Sequence, residues 1–171
     1  MSTQVLQKKV CLLGAFAVGK TSLVARFVKG IFSEKYISTI GVKIDRKTLK
    51  TGDTTLNMML WDIFGESAER KVPTTYIRSA SAYLLVIDGS RPSSIDVARE
   101  LHERMSKEVG NVPFVVLLNK FDLKDKWQLS PKDVEAMQDD GWDYFFTSAL
   151  TGENVDAAFT CLAEKIISHN S

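Results

Sequence analysis

The sequence contains no apolar run approaching the roughly 18 to 20 residues needed to cross a bilayer, so no stretch reads as a membrane span. It holds only 2 cysteines, Cys11 in an apolar run and Cys161 in a helical pattern. Two scattered thiols argue against a disulfide scaffold and for a reducing compartment, with both side chains as small core or near-core residues. Charge of one sign is also missing: Lys+Arg 22 against Asp+Glu 21 leaves a formal net charge of +1. Proteins that grip nucleic acid through many phosphates carry a clear basic excess, so no nucleic-acid partner is expected. The first residues offer no signal-peptide core and no Met-Gly start, and the last four, Ser168 to Ser171, include no cysteine to prenylate. The expectation is a cytoplasmic protein with no lipid anchor in this chain. Internal repeats, low-complexity tracts and Pro/Gly-rich linkers are absent as well. The 171 residues, 44% hydrophobic and 25% charged, are therefore read as one domain over 1–171 with a core of its own.

What the chain does contain is an alternation of short apolar runs and helical patterns. Val10 to Leu13, Tyr83 to Ile87, Phe114 to Leu118 and Tyr144 to Phe146 are nearly continuous in apolar character, as strands buried on both faces of a parallel sheet are. Val155, Ala158, Phe159, Leu162, Ala163, Ile166 and Ile167 follow a helical period, as do Ile95, Ala98, Leu101 and Met105. Ser130-Pro131-Lys132-Asp133 has the cap, the proline and the early acid of a helix start. His102 and His169 read as solvated helix residues. Residues 42–62 differ: Val42 and Ile44 alternate with Lys43 and Asp45, Lys50 to Asp53 form a turn, and a second strand follows. This predicts a hairpin, and so an α/β fold with a mostly parallel sheet, one antiparallel edge strand and helices on both faces.

Each core run ends in glycine or polar residues: Gly14, Asp62, Asp88, Asn119, and Thr147-Ser148-Ala149. Ligands of open α/β sheets bind beyond the carboxyl ends of the strands, so these segments mark the candidate site. The first, Gly14-Ala15-Phe16-Ala17-Val18-Gly19-Lys20-Thr21, matches G-x-x-x-x-G-K-[ST] between a strand and a helix. Such a P-loop aims backbone N–H groups and a helix N-terminus at phosphates, with Lys20 on the β- and γ-phosphates and the Thr21 hydroxyl on Mg2+. Phe16 puts a ring at a loop position commonly held by a small residue and must point out of the cradle. Asn119-Lys120-Phe121-Asp122 then selects the base. A carboxylate such as Asp122 accepts from the N1–H and amine of guanine, whereas adenine would set a lone pair against it.

With these motifs the chain resembles a Ras-superfamily small GTPase, closest to the Rab branch, over nearly its whole length. Residues 32–42 are similar to a Rab switch I, Trp61-Asp62-x-x-Gly65 to the start of switch II, and residues 148–154 to the fifth guanine-nucleotide motif. The resemblance implies a six-stranded G-domain sheet and a GTP/GDP switch. Thr21, Thr39 and Asp62 would hold Mg2+, and Thr39 and the Gly65 N–H would sense the γ-phosphate. The nucleotide would meet Ala15 through Ser22, Phe32, Tyr36, Thr39, Asp62, Gly65, Asn119, Lys120, Asp122, Ser148, Ala149 and Leu150. Catalysis would fall to Lys20, Thr39, Gly65 and Glu66. Effectors and exchange or activating proteins would read switch I (32–44) and switch II (61–76), with Trp61 and Tyr76 matching an aromatic cluster in which Ile44 replaces the usual Phe.

Glu66 departs from this pattern, because the family usually keeps Gln there to orient the attacking water. A carboxylate about 4 Å from the γ-phosphate would add roughly 4 kcal/mol of repulsion at an effective dielectric near 20. That is up to about a thousandfold in rate, less whatever Glu66 recovers by rotating into water or acting as a base. The Phe16 ring would also obstruct an arginine finger supplied in trans. The expected protein is a switch with slow, Mg2+-dependent GTP hydrolysis. The alternative is a catalytically impaired scaffold docking partners in one nucleotide state. A third reading, a small-metabolite P-loop kinase, would need an arginine-bearing lid, which the sequence does not show.

Overall fold

The computed structural model describes residues 3–32 and 41–170. The apolar runs form strands β1 (Gln4–Gly14), β4 (Ala82–Asp88), β5 (Phe114–Asn119) and β6 (Tyr144–Phe146). The alternating stretch forms the hairpin β2 (Val42–Thr51) and β3 (Thr54–Ile63). All join one six-stranded sheet in the order β2-β3-β1-β4-β5-β6. Among the described residues only the β2–β3 pair is antiparallel, so β2 is the expected antiparallel edge strand.

Period-two alternation along the strands builds two cores rather than one. Val10 and Leu12 of β1, Leu84 and Val86 of β4, and Val115 and Leu117 of β5 face helices α1 (Lys20–Lys29) and α5 (Val155–His169). Their neighbours Cys11 and Leu13, Tyr83 and Leu85, and Val116 and Leu118 face the opposite layer. That layer holds α2 (Thr74–Ile77), α3 (Ser93–Val109) and α4 (Pro131–Asp139). Helix α4 begins at Ser130 with a reciprocal capping box to Asp133, as the sequence predicts. Cys11 is a buried free thiol that burial pushes up to about 12, an inert core group.

His102 refines an expectation. It is a half-buried helix residue rather than a freely solvated one: its Nδ1 lies 2.8 Å from the Tyr83 hydroxyl, and its ring packs against Phe114 and Trp142. Burial, reinforced by the charge of Arg99, holds its pKa below the usual histidine value. Among the described residues no helix is long and apolar enough to cross a membrane.

Phe159 of α5 is fully buried and stacks on Phe27 of α1, ring centroids 4.0 Å apart. Phe159→Ala is expected to cost about 3–5 kcal/mol, read as a shifted urea midpoint. A loss below about 1 kcal/mol would show that this helical layer lies outside the cooperative unit.

Candidate functional site

Buried polar side chains gather at one rim of the sheet. Lys20, Asp62, Glu66, Asp88, Asn119, Thr147 and Ser148 are all buried, and all lie at or just beyond the carboxyl ends of β1, β3, β4, β5 and β6. Buried charge is costly unless it has partners, so this clustering marks where chemistry is concentrated.

The loop from Gly14 to Thr21 is shaped from its outer side. The Phe16 carbonyl accepts from Arg91 Nη2, the Ala17 carbonyl from Lys120 Nζ at 2.9 Å, and the Val18 carbonyl from Asn119 Nδ2 at 2.9 Å. Across a trans peptide the C=O and the following N–H point in opposite directions. These three bonds therefore turn the N–H groups of Ala17, Val18 and Gly19 toward the other side of the loop. Two residues take the left-handed region to allow this, Ala17 at φ 64° and Gly19 at φ 103°. For Ala17, with its Cβ, that conformation costs about 1–2 kcal/mol. A side chain at Gly19 would press on the Asn119 amide. Helix α1 starts immediately after, with no side-chain cap and no acid in its first turn. Its leading N–H groups thus suit an external anion.

Lys20 sits under this loop, 6% exposed. Burial pushes its ammonium down to about 8, Asp62 pulls it up, and Arg91 pushes it further down. A buried cation in that position fits a polyanion. Beside it the Thr21 hydroxyl donates to Asp62 Oδ2 at 2.5 Å. A hydroxyl and a buried carboxylate in contact form a hard oxygen pair of the kind Mg2+ takes. Thr39 and Tyr36, also expected here, lie outside the described residues.

The far end of the rim is built by a second set of carbonyl contacts. Asp122 Oδ1 accepts from Ser148 Oγ at 2.7 Å, which fixes the carboxylate's orientation. The Ser148 carbonyl accepts from Gly152 N at 2.8 Å, so the Ala149 N–H faces away from that bond. Arg26 of α1 braces the segment, with Nε on the Ala149 carbonyl at 2.9 Å and Nη2 on the Leu150 carbonyl at 2.6 Å. Thr147 Oγ1 donates to Asn119 Oδ1 at 3.1 Å, linking this end to the loop after β1. Phe32 packs part-buried against the α1–α5 core. Phe16 is 46% exposed, pointing out of the cradle as its size requires.

Glu66 is placed differently from the sequence expectation. It is 2% exposed, and its backbone joins residues 14–16 in a short parallel bridge: Phe16 N donates to the Glu66 carbonyl and Glu66 N to the Gly14 carbonyl, each at 3.0 Å. A Cβ at Gly65 would strike Phe16 N at 2.7 Å, so only glycine permits this approach. The Glu66 carboxylate turns toward α3. Oε2 meets Arg104 Nη2 at 2.8 Å and Oε1 accepts from Val72 N at 2.9 Å, while Arg104 also donates to the Val72 carbonyl at 3.1 Å. In this arrangement it is not a free charge: each carboxylate oxygen is engaged by a donor on the α3 side. A buried carboxylate is driven to a cation and an N–H donor when both are in reach. Arg26, Arg91 and Arg104 went unseen in the sequence; the only cue was that Arg91 closely follows the strand tip at Asp88 and Arg104 flanks the apolar stripe of α3.

Comparison with known proteins shows the family. The family model described as Ras family matches residues 9–168. Ras-related protein Rab-1 of Theileria annulata is 33% identical over 161 residues, covering 92% of this chain and 73% of that protein. Ras-related protein RABA2a of Arabidopsis thaliana is 34% identical over 168 residues, covering 95% of this chain and 77% of that protein. The chain belongs to the Ras family and is a Rab-like small GTP-binding switch protein, a GTPase.

The lowered Lys20 value carries a sign for stability. Its folded value of about 8 lies below the ordinary 10.5, so its contribution is complete above 10.5 and lost as pH falls through about 8. In nucleotide-free protein, wild type should gain on Lys20→Met by about 3 kcal/mol across that window, measured by urea unfolding at each pH. A difference flat with pH would remove the buried-ammonium account.

Proposed function

We propose that residues 15–22 of this GTPase cradle the phosphates of GTP or GDP, that Thr21 and Asp62 hold Mg2+, and that Asp122 selects guanine. The observation that carries this reading is the outward grip on the Phe16, Ala17 and Val18 carbonyls. It leaves a row of N–H groups directed at one spot, with Lys20 buried beside it. Bound there, Mg2+ supplies charge neutralisation for the phosphates. Lys20 adds a cation that moves little, the loop N–H groups orient the chain of phosphates, and the Ala149 N–H and Asp122 read the base edge. Switch I (32–44) and switch II (61–76) are the surfaces for effectors, exchange factors and activating proteins, with Ile44 exposed and Tyr76 packed edge-on to Phe64. All 171 residues act as one G domain, working in the cytoplasm.

Hydrolysis is slow in this proposal, for a reason that differs from simple repulsion. The position that would orient the attacking water carries Glu66, and its oxygens are taken by Arg104 and Val72. The missing water-positioning amide, rather than a charge facing the phosphate, sets the deficit. The same engagement of Glu66 favours a second reading, a guanine-nucleotide scaffold that hydrolyses little. Nucleotide extracted from freshly purified protein separates the two: GDP indicates turnover, retained GTP a scaffold.

Asp122→Ala should weaken GDP and GTP binding about a hundredfold while leaving weak ATP binding unchanged, measured with fluorescent nucleotides in Mg2+. Preserved guanine selectivity would refute the base assignment. Glu66→Gln should raise single-turnover GTP hydrolysis about tenfold. An unchanged rate in both Glu66→Gln and Phe16→Gly would place the slow step elsewhere.

A further inference from the structure

The carbonyl grip includes one residue outside every motif read from the sequence. Arg91 follows β4 and precedes α3, and its guanidinium reaches back to the phosphate loop, Nη2 on the Phe16 carbonyl. Although its side chain is 39% exposed, it is held from several directions. Its Nε lies 3.4 Å from Asp88 Oδ2, a carboxylate whose side chain is 2% exposed. Asp88 is itself fixed, Oδ1 accepting from Ser90 N at 2.8 Å and Ser90 Oγ at 2.6 Å. The Arg91 backbone is pinned too: its N–H donates to the Asp88 carbonyl at 2.9 Å, and its carbonyl accepts from Ser94 N at 3.0 Å and Ser94 Oγ at 2.7 Å.

Asp88 Oδ2 also meets Lys120 Nζ at 3.0 Å. One buried carboxylate thus aligns two long cations that take consecutive carbonyls of the loop, Arg91 on Phe16 and Lys120 on Ala17. The Phe16–Ala17 peptide is the one that needs holding. Ala17 is at φ 64°, a conformation its Cβ disfavours. Rotating that peptide plane would bring φ of Ala17 toward negative values and relieve the strain. It would also swing the Phe16 carbonyl inward, setting an oxygen against phosphate oxygens where an N–H should be.

We infer that Arg91, aligned by Asp88, is a positioning residue of the phosphate cradle: it holds the Phe16–Ala17 peptide in the strained orientation that aims the Ala17 N–H at the nucleotide's phosphates. The inference rests on the reading of residues 15–22 as that cradle. Arg91 faces the outer side of the loop, so its effect falls on nucleotide retention, for GDP and GTP alike, rather than on the chemical step.

The test uses the full chain in Mg2+, with release of fluorescent GDP and of a non-hydrolysable GTP analogue followed in wild type, Arg91→Ala, Arg91→Gln and Arg91→Lys. Arg91→Ala should release both nucleotides about tenfold faster, and Arg91→Lys should recover most of the loss. The amide proton of Ala17 in the GDP complex, followed by NMR, should move upfield in Arg91→Ala and return in Arg91→Lys, a response that a general loss of packing would not give. Should Arg91→Ala fail to fold, Arg91→Gln keeps the stem, withdraws the charge and should show faster release of the same sign. Unchanged release with an unmoved Ala17 amide overturns the inference. So does normal release with slowed single-turnover hydrolysis, which would put Arg91 on the reacting phosphate. If wild type binds no guanine nucleotide, or Lys20→Ala leaves affinity intact, the cradle reading itself fails, a result distinct from either.

Discussion

A loop that presents N–H groups to an anion must first find donors for its own carbonyls, because each peptide carries both and both are costly to leave unpaired once buried. In this protein that constraint is met by side chains from two strand tips. Asn119 and Lys120 arrive from the end of β5 and Arg91 from the turn after β4, each taking one carbonyl of the loop that follows β1. The strand order makes this possible, since β1 lies beside β4 and β5 lies next to β4. The sheet therefore does more than carry the loop on its edge. It fixes the direction of individual peptide planes, and the left-handed turn at Ala17 accompanies that fixing.

The Glu66 geometry shows how a burial requirement can override the chemistry suggested by a motif. A carboxylate in that slot reads as a charge near phosphate when only its neighbours in sequence are considered. In the folded chain the slot is 2% exposed, and a carboxylate so placed requires a cation. Arg104 provides it from α3, and Val72 N supplies the second donor. The Coulomb estimate of roughly 4 kcal/mol of repulsion assumed a charge facing the phosphate, and that assumption does not hold for a carboxylate paired on its other side.

What was legible in the sequence was what spacing along the chain determines. The apolar runs gave the strands, alternation against Lys43 and Asp45 gave the hairpin, and the Ser130–Asp133 quartet gave the start of α4. The motif residues around Lys20, Asp62, Asn119, Asp122 and Ser148 are brought to one rim because each sits at a strand end. Contacts across layers were not legible. Whether Arg104 faces Glu66 depends on how α3 lies over the sheet, and whether His102 is solvated depends on Trp142 and Phe114 arriving from elsewhere in the chain. Arg26 likewise reaches the Ala149 and Leu150 carbonyls across more than a hundred residues. Neither periodicity nor motif spacing carries that information.

The pairing at Glu66 also divides the segment after β3 mechanically. Glu66 is tied through its backbone to residues 14–16, while its carboxylate and Arg104 together hold both the N–H and the carbonyl of Val72. Residues 67–71 are thus stitched shut at the base, like a purse drawn closed, with Ser67 and Arg70 exchanging backbone bonds inside. Arg70 stacks its guanidinium on the Phe64 ring, 3.6 Å from the centroid, which anchors the small ring beside Tyr76 and α2. A rearrangement extending past Val72 has to pull Arg104 with it, so movement of residues 72–77 is tied to the long helix α3, which lies in the same layer.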